Sequence, residues 1–219
     1  MAMTKVFTRK IPLSDLFPPG DRIAALVAHL CILKEDFHLE YRGLVQEKTI
    51  SELDQNTSMW RRTYFFRTFL RTLNEILNIT GIIEGDEEVR KLLKQTPQNL
   101  RSELNGLVAL VKGERDLISR LRNSIGGHLD HRAVQRAIKK MAPERQGTIQ
   151  LGPTLGKTRY YFTTELIESI LMAVTQGQDP LKQLEEEMER IGQLQKPLMQ
   201  AIDKIFTAYL HEQGFLDRR

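Results

Sequence analysis

The chain has almost no cysteine, little proline and no long apolar run, and each shortage removes a class of protein. Cys31 is the only cysteine in 219 residues, so no intramolecular disulfide can form and a cysteine-rich zinc site is excluded. It sits within LVAHLCIL, where a thiol packs as a small hydrophobe. Eight prolines and fourteen glycines leave little room for a sandwich of many short strands. No window approaches the roughly 20 apolar residues that span a bilayer. The opening MAMTKVFTRKIPLSDLFPPG lacks the unbroken apolar core of a secretory signal. A soluble, cytoplasmic protein without a membrane anchor is the expectation. Also missing are a glycine-rich phosphate loop, an HExxH pair and a GxSxG elbow, which disfavours the kinase, hydrolase and dinucleotide chemistries.

What is present is enough for a folded core. Hydrophobic residues make up 41% of the chain and charged residues 27%, outside the range of disordered segments. The formal net charge of +4, from 32 basic and 28 acidic residues, is mild. It suits RNA or another polyanion as a partner only if it is focused on one face.

The apolar spacing predicts a mainly α protein, a bundle of about six to eight helices with one small hairpin. Residues 1–20 read as an arm that ends at Phe17-Pro18-Pro19-Gly20. From Asp21, a plausible N-cap, one helical stripe runs through Ile23, Leu26, Val27, Leu30, Leu33, Phe37, Tyr41, Leu44 and Val45. Ser51 and Asp54 resemble a capping box for the next helix, whose apolar face is Phe66, Phe69, Leu70, Leu73, Ile76 and Leu77. Arg67, Arg71, Asn74 and Asn78 share another face of it, a solvated surface or an RNA-tracking one. Trp60 with Tyr64 and Phe65 could stack bases, yet aromatics at helical spacing are usually core.

Gly81 and Gly85 are expected to frame a loop, with Asp86 capping the helix EEVRKLLKQ. Pro97 is expected to open a helix that continues through Leu100, Leu107 and Val111 to Leu121. Along it, Glu114 and Asp116 are expected to pair with Lys112, Arg115 or Arg120. Asp130 has the chemistry to cap the basic helix HRAVQRAIKKM. The texture changes at Ala142-Pro143. TIQL at 148–151 and TRYYFT at 158–163 flank GPTLGK and read as the hairpin. A helix from about Thr164 and a long one after Pro180 follow. The latter carries a heptad-like seam from Leu181 to Tyr209, with a kink or a break expected at Pro197. The chain thus divides into an arm at 1–20, a bundle at 21–141, and a hairpin with C-terminal helices at 142–219. Those last helices pack on the bundle or in a dimer.

RLRNSIGGHLDHR at 120–132 carries chemistry. Cutting a phosphodiester without a metal takes a group that moves protons near neutral pH and a fixed positive charge on the phosphate. His128 supplies the first type, at about 10²–10⁴-fold in typical cases. The planar fork of Arg122 supplies the second, and Asn123 can orient either partner. On an unbroken helix Arg122 and His128 would diverge by about 240°. Gly126-Gly127 can break the helix and swing His128 back, and it is equally an ordinary helix stop. His128, Asp130 and His131 lack a third strong ligand nearby, so metal ligation is disfavoured and no cofactor is expected. His29 and His38 read as packed or surface residues.

An Arg, a polar residue and then a His near the end of an amphipathic helix resembles the signature of the HEPN superfamily. Here the match is Arg122-Asn123-Ser124-Ile125-Gly126-Gly127-His128, and the resemblance covers roughly residues 20–140. It implies a helical bundle and a metal-independent endoribonuclease in toxin–antitoxin, phage-defence or RNA-processing systems. It further implies a homodimer whose protomers each contribute an Arg and a His, with a cognate antitoxin or regulatory protein as a further partner. By the resemblance Arg122 binds the scissile phosphate, His128 transfers protons and Asn123 supports them. Arg67, Arg71 and Arg132 are the weaker RNA-binding candidates. The alternative from another class is a non-catalytic helical module that holds a partner, or itself, through the 181–209 seam.

Overall fold

The computed structural model describes residues 10–46, 55–125, 131–140, 146–147, 149–153, 159–160, 162–174 and 180–216. The protein is mainly α. Among these residues eight helices of nine residues or more pack around one apolar core, joined by one turn of helix and a two-residue ladder.

The chain enters through that single turn, α1 (Leu13–Leu16). Leu16 and Phe17 then pack against the core, and the Phe17 ring stacks on Tyr209 with centroids 5.9 Å apart. Asp21 caps α2 (Arg22–Gln46) as its side chain predicts. One carboxylate oxygen accepts the amides of Ile23 at 2.8 Å and Ala24 at 3.0 Å. The stripe from Ile23 to Phe37 is buried against α3 (Gln55–Gly85), and the rings of Phe37 and Phe69 stack at 4.5 Å. Farther along this contact Gly43 meets the Phe65 ring. A Cβ there would lie 2.6 Å from three ring carbons, so any larger residue would require the ring to shift.

Gly81 and Gly85 do not frame a loop. α3 continues through Gly81 and ends at Gly85, because Ile79 and Ile83 extend the buried stripe by another turn and their packing outweighs one glycine's helix penalty of about 1 kcal/mol. Asp86 then caps α4 (Glu87–Gln95), accepting the amides of Glu88 and Val89. Arg22 ties the start of α2 to this cap through Asp86, at 2.8 Å, and Glu88.

The helix expected from Pro97 to Leu121 is two helices. α5 (Gln98–Lys112) buries Leu100, Leu104, Leu107 and Val111, a turn follows at Gly113-Glu114, and α6 (Arg115–Ile125) buries Leu117, Ile118 and Leu121. Glu84, near the end of α3, grips both sides of the turn, with Lys112 at 3.3 Å and Arg115 at 3.1 Å. α6 packs against α3 and α8 (Phe162–Val174), and α7 (His131–Lys140) also packs on α8.

Of the expected hairpin the described residues show a two-residue antiparallel ladder, β1 (Ile149–Gln150) and β2 (Arg159–Tyr160), with Ile149 opposite Tyr160 and Gln150 opposite Arg159; residues 154–158 between them lie outside the described residues. α9 (Pro180–Glu212) then closes the bundle against α5 and α2. Pro197 does not divide it. It removes one amide donor on an exposed face, while Ile191, Leu198, Ile202, Ile205 and Tyr209 stay buried on both sides of it. From Ile191 on, the seam is covered by helices of its own chain. Gly214, with φ of 68°, ends the helix in a Schellman turn: Phe215 N–H bonds to Leu210 and Gly214 N–H to His211.

Candidate functional site

α6 is amphipathic because its apolar residues recur at three and four, and its buried face fixes where its polar residues point. With Leu117, Ile118 and Leu121 in the core, Arg122 falls half-buried at the rim and Asn123 is exposed. Both lie in the last turn of the helix. The Arg122 guanidinium donates from Nη1 to Asn123 Oδ1 at 3.0 Å. The amide uses one of the fork's five N–H donors. It holds the arginine over its own helix end while the other guanidinium nitrogen can still meet an anion.

The start of α6 is braced from two directions. Glu84 holds Lys112 and Arg115 as described, and Glu114 is held by Arg190 of α9. Arg190 Nε donates to Oε1 of Glu114 at 2.9 Å, while Oε2, 2.8 Å away and poorly aligned, serves as counter-charge. Glu114, Lys112 and Arg115 therefore pair between helices, rather than with one another along the chain as their spacing suggests. Glu84 and Arg190 brace the start of α6 and were not legible in the sequence, since their partners lie 28 and 76 residues away.

Gly126, Gly127, His128 and Asp130 lie outside the described residues, as do the side chain of His131, the capping-box pair Ser51 and Asp54, and the side chain of Trp60. Arg132 is exposed in the first turn of α7. Arg67, half-buried, and Arg71, exposed, are both on α3. Arg71 acts electrostatically on Glu40 of α2, and Asn78 donates to Glu75 at 3.3 Å, so the supposed RNA-tracking face has intramolecular engagements. A separate groove between the start of α5 and the end of α9 is lined by Asn99, Glu103, Asp203, Lys204 and His211, on different elements from Arg122. Among the described residues no three His, Cys, Asp or Glu side chains gather as a metal would need, and no helix is long and apolar enough to cross a membrane.

No protein family, curated protein or solved structure matches the chain. What the site can do therefore rests on its own residues. A half-exposed, permanently charged fork at a helix end, steadied by a neutral amide, is suited to binding a phosphate.

Proposed function

We propose that the protein is a metal-independent endoribonuclease of HEPN type, working as a homodimer in bacterial stress or phage defence. The observation that supports it best is the Arg122–Asn123 pair, 3.0 Å apart at the rim of α6, in the sequence that leads to His128. In this reading Arg122 carries the scissile phosphate and meets the charge that gathers on its oxygens as the 2′-hydroxyl attacks. His128 moves the proton from the attacking oxygen or to the leaving one. Asn123 is a positioning residue that fixes the plane of the guanidinium. Arg67, Arg71 and Arg132 supply the weaker, sequence-independent contacts to the strand. A cognate antitoxin or regulatory protein completes the system.

Cleavage of RNA in the presence of EDTA tests the proposal. The wild-type protein should cut, and Arg122→Ala and His128→Ala should each lower the rate at least a hundredfold while keeping the fold. Equal cleavage by all three proteins would rule out this site.

A further inference from the structure

Glu40 occupies a position where a helical stripe calls for an apolar residue, one turn past Phe37 on the face of α2 that packs on α3. Its Oε1 accepts a hydrogen bond from the Thr72 hydroxyl at 3.0 Å. Its Oε2 is buried from water and finds no hydrogen-bond partner among the described residues. The Thr68 hydroxyl, one turn earlier on α3, donates to the carbonyl of Phe65 at 3.0 Å.

That geometry favours one protonation state. A carboxylate leaves a buried charge with Oε2 unpaired. A carboxylic acid is neutral and keeps the bond from Thr72 on Oε1, so its burial costs less. The charged groups that face Glu40 are Asp36 from α2 and Arg71 from α3. Asp36 disfavours a second negative charge, and Arg71 is exposed and acts through solvent. The α9 pair nearest in α2, Lys34 with Asp203 at 2.7 Å, is occupied with itself. Burial is the largest influence and outweighs Thr72, Thr68 and Arg71, which all favour the charged form, holding the carboxyl up at about 7.

We propose that Glu40 is a proton-operated latch between α2 and α3: as the neutral acid it stays buried with its bond from Thr72, and on losing its proton to solvent it loosens the last turns of α2. The value in the folded state lies above the roughly 4.3 of a free glutamate. The latch is therefore fully effective below that point and is lost as pH rises through about 7. One proton is released, so local opening rises by at most about tenfold per pH unit in between. The latch stands independently of any nuclease activity.

The test uses the full chain. Glutamate side-chain carboxyl carbons are followed by NMR, with Glu40 assigned by the resonance that Glu40→Gln removes. Amide exchange across residues 37–46 is measured over the same pH range and corrected for its intrinsic pH dependence. The expected result is a Glu40 carboxyl that titrates near neutrality. Exchange should rise with pH in the wild type and stay flat in Glu40→Gln, whose neutral amide can accept from Thr72 at every pH. Parallel exchange profiles in the two proteins would overturn the latch. So would a set of wild-type glutamates all titrating near the free value, a result that decides the matter even if Glu40→Gln does not fold.

Discussion

The hydroxyl of Tyr209 donates a hydrogen bond to the carbonyl of Leu16 at 2.7 Å, joining residues 193 positions apart. Tyr209 is 1% exposed, its ring stacks on Phe17, and burial pushes its phenol above the ordinary value. The bond fastens the entering chain to α9 and satisfies a carbonyl at the end of α1. Tyr209→Phe keeps the ring and strips the donor, so it should cost about 1 kcal/mol. Urea denaturation of both proteins checks this, and an unchanged midpoint would mean that water takes over the carbonyl.

Gly43 and Phe65 make a prediction whose sign depends on background. Alanine at 43 would lie 2.6 Å from the ring carbons, so Gly43→Ala should lower the thermal midpoint despite the better helix propensity of alanine. With Phe65→Ala in place the obstruction is gone. The same Gly43→Ala change should then stabilise by about 1 kcal/mol, its propensity gain alone. A double-mutant cycle reads the difference directly. Additive effects would show that the ring moves aside freely.

Much of this fold was legible because it is decided locally. The carboxylates of Asp21 and Asp86 announce two helix starts, and TIQL with TRYYFT announces the ladder. The glycines were harder. Gly81 and Gly113 look alike in sequence, yet α3 runs through the first and the chain turns at the second. Burial of Ile79 and Ile83 carries the helix past Gly81. At Gly113 the grip of Glu84 on Lys112 and Arg115 holds the turn, and that contact exists only once α3 and α5 are side by side. The charges show the same limit, since periodicity offers neighbours on one helix and Glu114 found Arg190 on another. Glu40 left a signal in the sequence, a carboxylate in phase with Phe37 and Leu44, that reading the stripe as merely apolar passes over. Arg122 and Asn123 were legible as a pair, whereas their relation to His128 depends on the dihedrals of two glycines, which spacing does not determine.

Asp86 sets an acid limit on the same bundle. It accepts the amides of Glu88 and Val89 and faces Arg22 at 2.8 Å. The Val89 amide is the largest cause, and with Arg22 and the Glu88 amide it holds the carboxyl below the usual aspartate range. A depressed folded value means that the cap's contribution is present above the unfolded value of about 3.9. It is lost as pH falls through the folded value, when the unfolded chain binds the proton more readily. Wild-type stability should therefore fall on acidification below about pH 4 more steeply than that of Asp86→Asn, which keeps an acceptor at the cap without the charge. Chemical denaturation at a series of acidic pH values checks it, and identical slopes would remove Asp86 from the account.

The last prediction separates the two parts Asn123 can play beside Arg122. Its Oδ1 accepts from Nη1 at 3.0 Å without changing the charge of the site. Asn123→Asp keeps the acceptor and the shape but adds a carboxylate that competes with a phosphate for the guanidinium. Asn123→Ala leaves the charge alone and frees the fork to rotate. If Arg122 binds the scissile phosphate, Asn123→Asp should weaken RNA binding more than Asn123→Ala does. Its deficit should shrink as salt rises, because added ions screen the new charge. If Asn123 serves only to orient the fork, Asn123→Ala should bind RNA near normally and cut slowly. Both residues are at the rim of α6, so each variant should keep wild-type stability to within about 0.5 kcal/mol. Filter binding at two salt concentrations, alongside cleavage in EDTA, distinguishes these outcomes. Equal binding and equal cleavage by both variants would take Asn123 out of the site and leave Arg122 to be judged on its own.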